Sequence, residues 1–398
     1  MVETIGLDAP PMTPSDRRAT SYAYYLAFIS LGMFAGMLGP SIDVFKERTG
    51  SNNGQIAILF TISAIGYTIS GVVSGRLYDR RRGHPVISAG LMGAAIAVLC
   101  MTRASTLVVL ALLMIAMGFS TGAVDTGGNT LLTWLHGDNL GPWMIALHAA
   151  FGVGSALAPL FLEVSRTTTS GINAGLVGMS VLGLVASAWL LRRPSPTHRA
   201  EDRATVDTIA KPAPRRLALI VAAAFFFVYV GLEIGFAGWV YTFAQDRGFS
   251  KRSASWLTST FWWAFTAGRV LGIAVARKLS AKAQILVDVA VTMVGAVMLV
   301  ASTSSSGLLW AGTVVLGVGL ATMFPAMINV ANERVAVTGT VTSWFIGGAG
   351  AGSAVLPWEI GHLFDGHGSG ILPGFVLILA AVVAIMSTAA ARLFERAT

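Results

Sequence analysis

Two stretches 199 residues apart read as copies of each other, and no other feature limits the fold as much. Phe28 to Gly39 reads FISLGMFAGMLG and Phe227 to Gly238 reads FVYVGLEIGFAG, with the phenylalanine and three glycines in register. Gly152 to Pro159 (GVGSALAP) recurs 198 residues on as Gly350 to Pro357 (GAGSAVLP), and the pair Gly75-Arg76 recurs as Gly268-Arg269. One half of the chain is a diverged duplicate of the other. Both copies are strongly apolar, so the repeat predicts two membrane-embedded bundles facing each other, with any binding site at their interface.

Composition supports the membrane. Apolar residues make up 54% of the chain and charged residues 12%, and mean hydropathy is +0.70. A bilayer core of roughly 30 Å takes about 20 residues of helix, and only helices or closed barrels satisfy their backbone there. The apolar runs are too long and too uniform for barrel strands. The expected fold is therefore an all-α membrane protein of twelve transmembrane helices in two pseudo-symmetric six-helix bundles. The spans are 21–44, 55–76, 85–102, 106–132, 142–162, 172–191, 217–243, 253–276, 282–301, 307–331, 338–360 and 372–392. Residues 1–191 form the first bundle and 217–398 the second. Between them lies a polar linker, 192–216 (RRPSPTHRAEDRATVDTIAKPAPRR), whose composition cannot form a core.

The formal charge of +8 is topology, not a nucleic-acid surface. With the amino terminus cytoplasmic, 19 Lys and Arg fall on the cytoplasmic side and 7 on the far side, with Arg269 inside a span. Cys100 is the single cysteine, so neither a disulfide framework nor a cysteine metal site is available. The first apolar run is too long for a cleaved signal peptide and is expected to stay as an anchor.

Ionisable groups inside a bilayer are costly, and they mark function by default. Asp125 lies deep in the fourth span with Asn129 one turn on and on the same face. Asp125 suits a proton or Na⁺, and Asn129 a solute hydroxyl; the plainer alternatives are a partner helix for the acid and a helix cap for the amide. Glu233 lies near the middle of the seventh span beside Phe236 and Trp239, and its repeat counterpart is Phe34, so the acid is not part of the shared scaffold. His148 in the fifth span could relay protons, bond a hydroxyl or simply pack. Arg269 reads as a latch or helix-end anchor, with an anionic solute as the other role, and Asp288 in the ninth span as its partner or as an interface residue. Asn329 in the tenth span is a candidate by analogy with Asn129. Trp239 and Trp263 are candidates for stacking on a sugar's C–H face, with helix or lipid packing as the alternative. Asp43, Glu163, Glu359 and His362 at span ends read as solvated boundary residues.

The segment Gly75 to Pro85 (GRLYDRRRGHP) resembles the loop signature of the major facilitator superfamily, with Gly83 four residues after Asp79 where the usual spacing is three. Its counterpart in that family is a charged latch, which implies gating by Gly75, Asp79, Arg80 and Arg269. A narrower likeness lies in Val124 to Phe161, VDTGGNTLLTWLHGDNLGPWMIALHAAFGVGSALAPLF, and in LGPSID at Leu38 to Asp43. These are similar to the sodium-dependent glucose transporter-like branch and, more distantly, to the fucose permeases. The chain departs from the permeases at Gly39 and Ala149, where they carry an acid and an asparagine.

The resemblance implies alternating access of a small polar solute, a monosaccharide foremost, in symport with Na⁺ or H⁺. The solute would bind at Asn129, His148, Glu233, Trp239, Trp263 and Asn329, and the cation at Asp125 and Glu233. The GVGSALAP motif also fits a proton-coupled drug or metabolite exporter. No GxxxxGK[ST] loop or metal-ligand spacing occurs, and Gly154-Ser155 belongs to a packing repeat, so neither ATP drive, a metal, a cofactor nor enzymatic catalysis is expected. The expected setting is a bacterial inner membrane, with both termini cytoplasmic. The expected partners are the solute and the lipid bilayer, without nucleic acid, and the chain is expected to act as a monomer.

Overall fold

The computed structural model describes residues 12–78, 83–169, 171–196, 216–302 and 305–395. They fold almost entirely into helices. The first half contains α1 (Pro14–Gly36), α2 (Leu38–Thr49), α3 (Asn53–Tyr78), α4 (Gly83–Met101), α5 (Leu107–His136), α6 (Leu140–Thr169) and α7 (Asn173–Leu191). The second half contains α8 (Arg216–Asp246), α9 (Lys251–Ala276), α10 (Ala281–Ala301), α11 (Ser306–Leu320), α12 (Met323–Arg334), α13 (Gly339–His367) and α14 (Leu372–Glu395).

Starts are set by short hydroxyl side chains. Thr13, Thr106, Ser250, Ser280, Ser305 and Thr338 each accept a hydrogen bond from the backbone three residues on, satisfying a donor that the helix leaves orphaned. These helices match the twelve predicted spans within a few residues, with two refinements. The first span is bent by 47° between α1 and α2, and the tenth is broken between α11 and α12. Each break falls four residues before a proline, Gly36 before Pro40 and Ala321 before Pro325. Proline lacks the N–H that would bond that carbonyl and its ring crowds the same oxygen.

Among the described residues, nine helices are long and apolar enough to span, or ten with the bent pair counted. The two rods outside that set are α9 and α13, which both lie on the seam between the halves. α13 packs on α3 and α9 on α6 across the two halves. Within each half the repeated glycine motif holds one close pair. A Cβ on Gly154 would strike the Ile29 carbonyl of α1, and one on Gly352 the Phe227 carbonyl of α8, so the duplicated sequence is duplicated packing. The protein is a multi-pass helical membrane protein. The described chain ends meet at one face, where Asp16 lies 3.9 Å from Arg193 and Lys282 2.7 Å from Glu395. We call this the linker end.

Candidate functional site

The two halves touch along the far part of their seam and part toward the linker end. On the α3–α13 side, Asn53 and Gly54 N–H donate to the Asp365 carboxylate at 3.0 and 2.7 Å. Thr61 donates to the Ala354 carbonyl at 2.6 Å, and Gly350 sits against Thr68. Beyond Thr68 contact ceases: a Cβ on Gly71, Gly75 or Gly347 would meet nothing within 4 Å. On the α6–α9 side, Ser259 donates to the Ala156 carbonyl at 2.6 Å and Gly152 sits against Thr266. The next turn carries the half-buried His148 and Arg269. The halves therefore enclose an opening at the linker end whose apex lies near Thr68 and Thr266.

Polar residues from both halves gather at that apex. From α3, Tyr67 donates its hydroxyl to Asp125 Oδ2 on α5 at 2.7 Å, although the ring is 41% exposed in mid-span. Asn129 donates to Asp125 Oδ1 at 3.2 Å and to its carbonyl at 2.9 Å. From α8, Glu233 is buried, with Tyr229 one turn earlier on the same helix. From α9, Arg269 lays its guanidinium 4.4 Å from the Phe265 ring centre and donates Nε to the Ala321 carbonyl at 3.3 Å. That carbonyl is the one Pro325 leaves without a helical donor. The charge of Arg269 acts on Asp125 and His148 of the first half and on Glu233 of its own half. His148 packs edge-on to Phe28, with ring centres 6.2 Å apart.

Asp125, Asn129, His148, Glu233 and Arg269 are thus brought to one region, with the charge of Arg269 reaching both acids. Asp288 is not its partner: the Asp288 carboxylate takes a hydrogen bond from Thr322 at 2.6 Å. Trp239 is placed elsewhere. It is fully buried, its indole N–H donates to the Pro357 carbonyl at 2.7 Å, and its ring packs on Phe60 and Phe364. No face or donor of Trp239 is left for a solute in this conformation. Trp263 is exposed and stands about 120° around α9 from Arg269, six residues at about 100° each. Its neighbour Trp262 is the one turned to the first half, against Phe151. Asn329 is exposed on α12. Gly75 faces open space, and Asp79 and Arg80 lie outside the described residues.

Sequence reasoning passed over Tyr67, Tyr229 and the break at Ala321. The signal for the break was available, because Pro325 interrupts an apolar span. Gly39 is explained as well. It sits against the Gly238 backbone of the other half, where an acidic side chain has no room in this conformation.

Two of the far-end residues read as solvated, Asp43 and Glu163, are instead held in ion pairs, while His362 is exposed and Glu359 half-buried. Arg166 pairs with Asp43 at 3.3 Å and Glu163 at 3.7 Å, and it donates to the Pro40 carbonyl. Its guanidinium covers the Tyr241 ring of the other half at 5.2 Å. Lys251 of the second half pairs with Asp43 at 3.6 Å. Glu163 is buried, which corrects the boundary reading. The i, i+3 spacing of Glu163 and Arg166 was the available sign. No group of three or more His, Cys, Asp or Glu able to hold a metal occurs among the described residues.

The sequence matches the family description of the Major Facilitator Superfamily over residues 24–357. The chain belongs to that superfamily. It is 28% identical over 378 residues to the mouse sodium-dependent glucose transporter 1A, covering 86% of this chain and 89% of that protein. It is 26% identical over 389 residues to the Xenopus laevis sodium-dependent glucose transporter 1, covering 91% of this chain and 78% of the relative. The fold is similar to a mutant form of the nucleoside transporter NupG, with a TM-score of 0.72 at 14% identity over 95% of this chain and 100% of that one. It is also similar to a bacterial homologue of the human lysosomal transporter Spinster, crystallised inward-facing and unoccupied, with a TM-score of 0.69 at 14% identity over 97% of this chain and 99% of that one. The superfamily is one of transporters.

Proposed function

We propose that this chain carries a small polar solute, a monosaccharide foremost, in symport with Na⁺ or H⁺. One observation carries the reading: an acid from each half, Asp125 and Glu233, lies within electrostatic reach of a single arginine, Arg269, near the closed apex of an opening between the halves. With His148 counted as neutral, two ionised acids and Arg269 leave one net negative charge. An unpaired carboxylate in hydrocarbon costs several kcal/mol, so the empty site resists closure. One cation brings the count to zero and permits occlusion. Asn129, His148 and Tyr67 offer the hydroxyl-bonding groups that a sugar needs, and the likeness to sodium-dependent glucose transporters supports that class of solute.

Residues 1–191 and 217–398 act as the two rocking bodies, with 192–216 as their connector. The termini face the cytoplasm of a bacterium, as the basic-residue bias supports, so this conformation opens inward. Gly75, Asp79 and Arg80 would close this inward gate when the far end opens. The protein works as a monomer.

The test is uptake of labelled glucose and fucose into proteoliposomes under a Na⁺ gradient or a pH gradient, comparing wild type with Asp125→Asn. Accumulation driven by one gradient and lost in the variant is the expected result. Accumulation that survives Asp125→Asn refutes coupling at Asp125. Absence of sugar flux under either gradient, with extrusion of a lipophilic cation instead, replaces this reading with an exporter.

A further inference from the structure

The break between α11 and α12 has a second side, turned away from Arg269 and toward α10. There Asp288 is buried, with 8% of its surface exposed, and it has no ion-pair partner among the described residues. Its Oδ2 accepts the Thr322 hydroxyl at 2.6 Å, which is the carboxylate's one hydrogen bond among those residues. Thr292 lies one turn farther along α10 on the same face. It is 1% exposed and its Oγ1 has no hydrogen-bond partner. That oxygen points at Gly319, one turn before Thr322: a Cβ on Gly319 would meet it at 2.5 Å. Between α10 and α11 there is thus a buried rung of oxygen atoms holding one acid and one orphaned hydroxyl. A buried hydroxyl left unpaired costs about 1–3 kcal/mol, and an unpaired buried carboxylate costs more.

We propose that Asp288, Thr292 and Thr322 form a site for a hard monovalent cation, Na⁺, distinct from the cavity acids. The donors are a carboxylate and two hydroxyls, joined by the carbonyl end of α11. An all-oxygen set without imidazole or thiolate suits a hard cation, and a single carboxylate balances a single charge. The helix break supplies the rest. The last carbonyls of α11 have no continuing helix to bond, so they carry the negative end of its dipole. Broken helices present such ends to Na⁺ in other transporter architectures. The cavity side of the same break is already taken: Leu320 O accepts Tyr229 at 3.0 Å, and Ala321 O accepts Arg269. Those carbonyls hold Tyr229, one turn before Glu233, and the cavity arginine. A cation at Thr322 therefore fixes the segment on which the solute site hangs, and this is how its binding reaches the cavity. The inference deepens the symport reading and rests on it only for that last step.

The experiment is thermal unfolding of the purified full-length protein in detergent, with NaCl titrated against choline chloride at constant ionic strength. A background carrying both Asp125→Asn and Glu233→Gln removes the two cavity acids, so any remaining Na⁺ response comes from elsewhere. The expected result is a saturable Na⁺-dependent rise in melting temperature in that background, abolished by adding Asp288→Asn. Adding Thr292→Val should raise the apparent Na⁺ dissociation constant by roughly tenfold or more. Because that change deletes an unpaired hydroxyl, it should also raise the melting temperature without Na⁺, a combination that a purely structural threonine would not give. If the Asp288→Asn protein does not fold, the Thr292→Val titration decides alone. The proposal is overturned if the background lacking both cavity acids shows no Na⁺ response, or if Asp288→Asn or Thr292→Val leaves the response at its background strength. Loss of sugar uptake without loss of this response counts against the symport reading instead.

Discussion

Replacing Asp365 with alanine should open the far end of the molecule. In this conformation the Asp365 carboxylate on α13 caps the first turn of α3 across the seam, bonding Asn53 N–H at 3.0 Å and Gly54 N–H at 2.7 Å. When the halves part at this end, the carboxylate is hydrated and the α3 donors turn to water, so the bonds belong to one state alone. Bonds to a charged acceptor contribute about 1.5–3 kcal/mol each when well shielded. Here Asp365 is exposed, Asn53 is half-buried, and of the two bonds only the one from Gly54 is partly buried. The better measure is then the loss of an N-cap, about 0.5–2 kcal/mol. A shift of about 1–2 kcal/mol changes a two-state ratio by about 5–30-fold. The assay is labelling of Ser259→Cys by a membrane-impermeant maleimide applied from the far side, with Cys100 replaced by serine. Ser259 is fully buried on the α6–α9 seam, so it reacts only when that end opens. Asp365→Ala should raise the labelling rate by about 5–30-fold. A folded Asp365→Ala protein that labels at the wild-type rate would show that the cap does not hold the seam closed.

Tyr67→Phe removes the hydroxyl bonded to Asp125 and should lower kcat/KM for uptake by about 5–30-fold, for a loss of about 1–2 kcal/mol; transport kinetics at fixed protein density check it. Pro325→Ala gives back the N–H that competes with Arg269 for the Ala321 carbonyl, so melting temperature should rise while uptake falls, and a parallel change in both would refute the assignment. Gly154→Val and Gly352→Val should each lower the melting temperature by the equivalent of about 1–3 kcal/mol, because each drives a side chain into a neighbouring carbonyl. Gly71→Ala, which meets nothing within 4 Å, should leave the melting temperature unchanged.

The fold was legible because it depends on quantities that survive in a linear chain. The repeat announced two like bundles, and hydropathy placed the rods to within a few residues. The membrane site was half legible. Asp125 and Glu233 stand out because hydrocarbon makes any acid conspicuous, yet nothing in the chain says that both lie within reach of Arg269. That placement needs the crossing of α9 over the broken α11–α12 rod. Tyr67 was hidden among apolar residues, where a tyrosine costs little. Trp262 and Trp263 are chemically alike, and only the rotation of α9 decides which of them meets Phe151. Trp239 looked available because depth can be read from sequence and burial cannot. The far-end ion pairs were missed because a charge at a span end is usually in water, and here the bend after Gly36 folds Asp43 against Arg166.

The bare surfaces of α3 and α13 near the linker end carry information about a shape the molecule does not have here. Thr68 against Gly350 and Gly152 against Thr266 act as a fulcrum, with about 22 Å of α3 beyond it on the closed side and about 15 Å on the open side, at about 1.5 Å per residue. A rigid lever pivoting there cannot widen at one end without narrowing at the other. When the far mouth gapes, Gly71 and Gly75 are carried toward Gly347 and Trp344. Glycines that border empty space now are then slim enough to let two backbones meet. The gap between them is the mould of the opposite conformation.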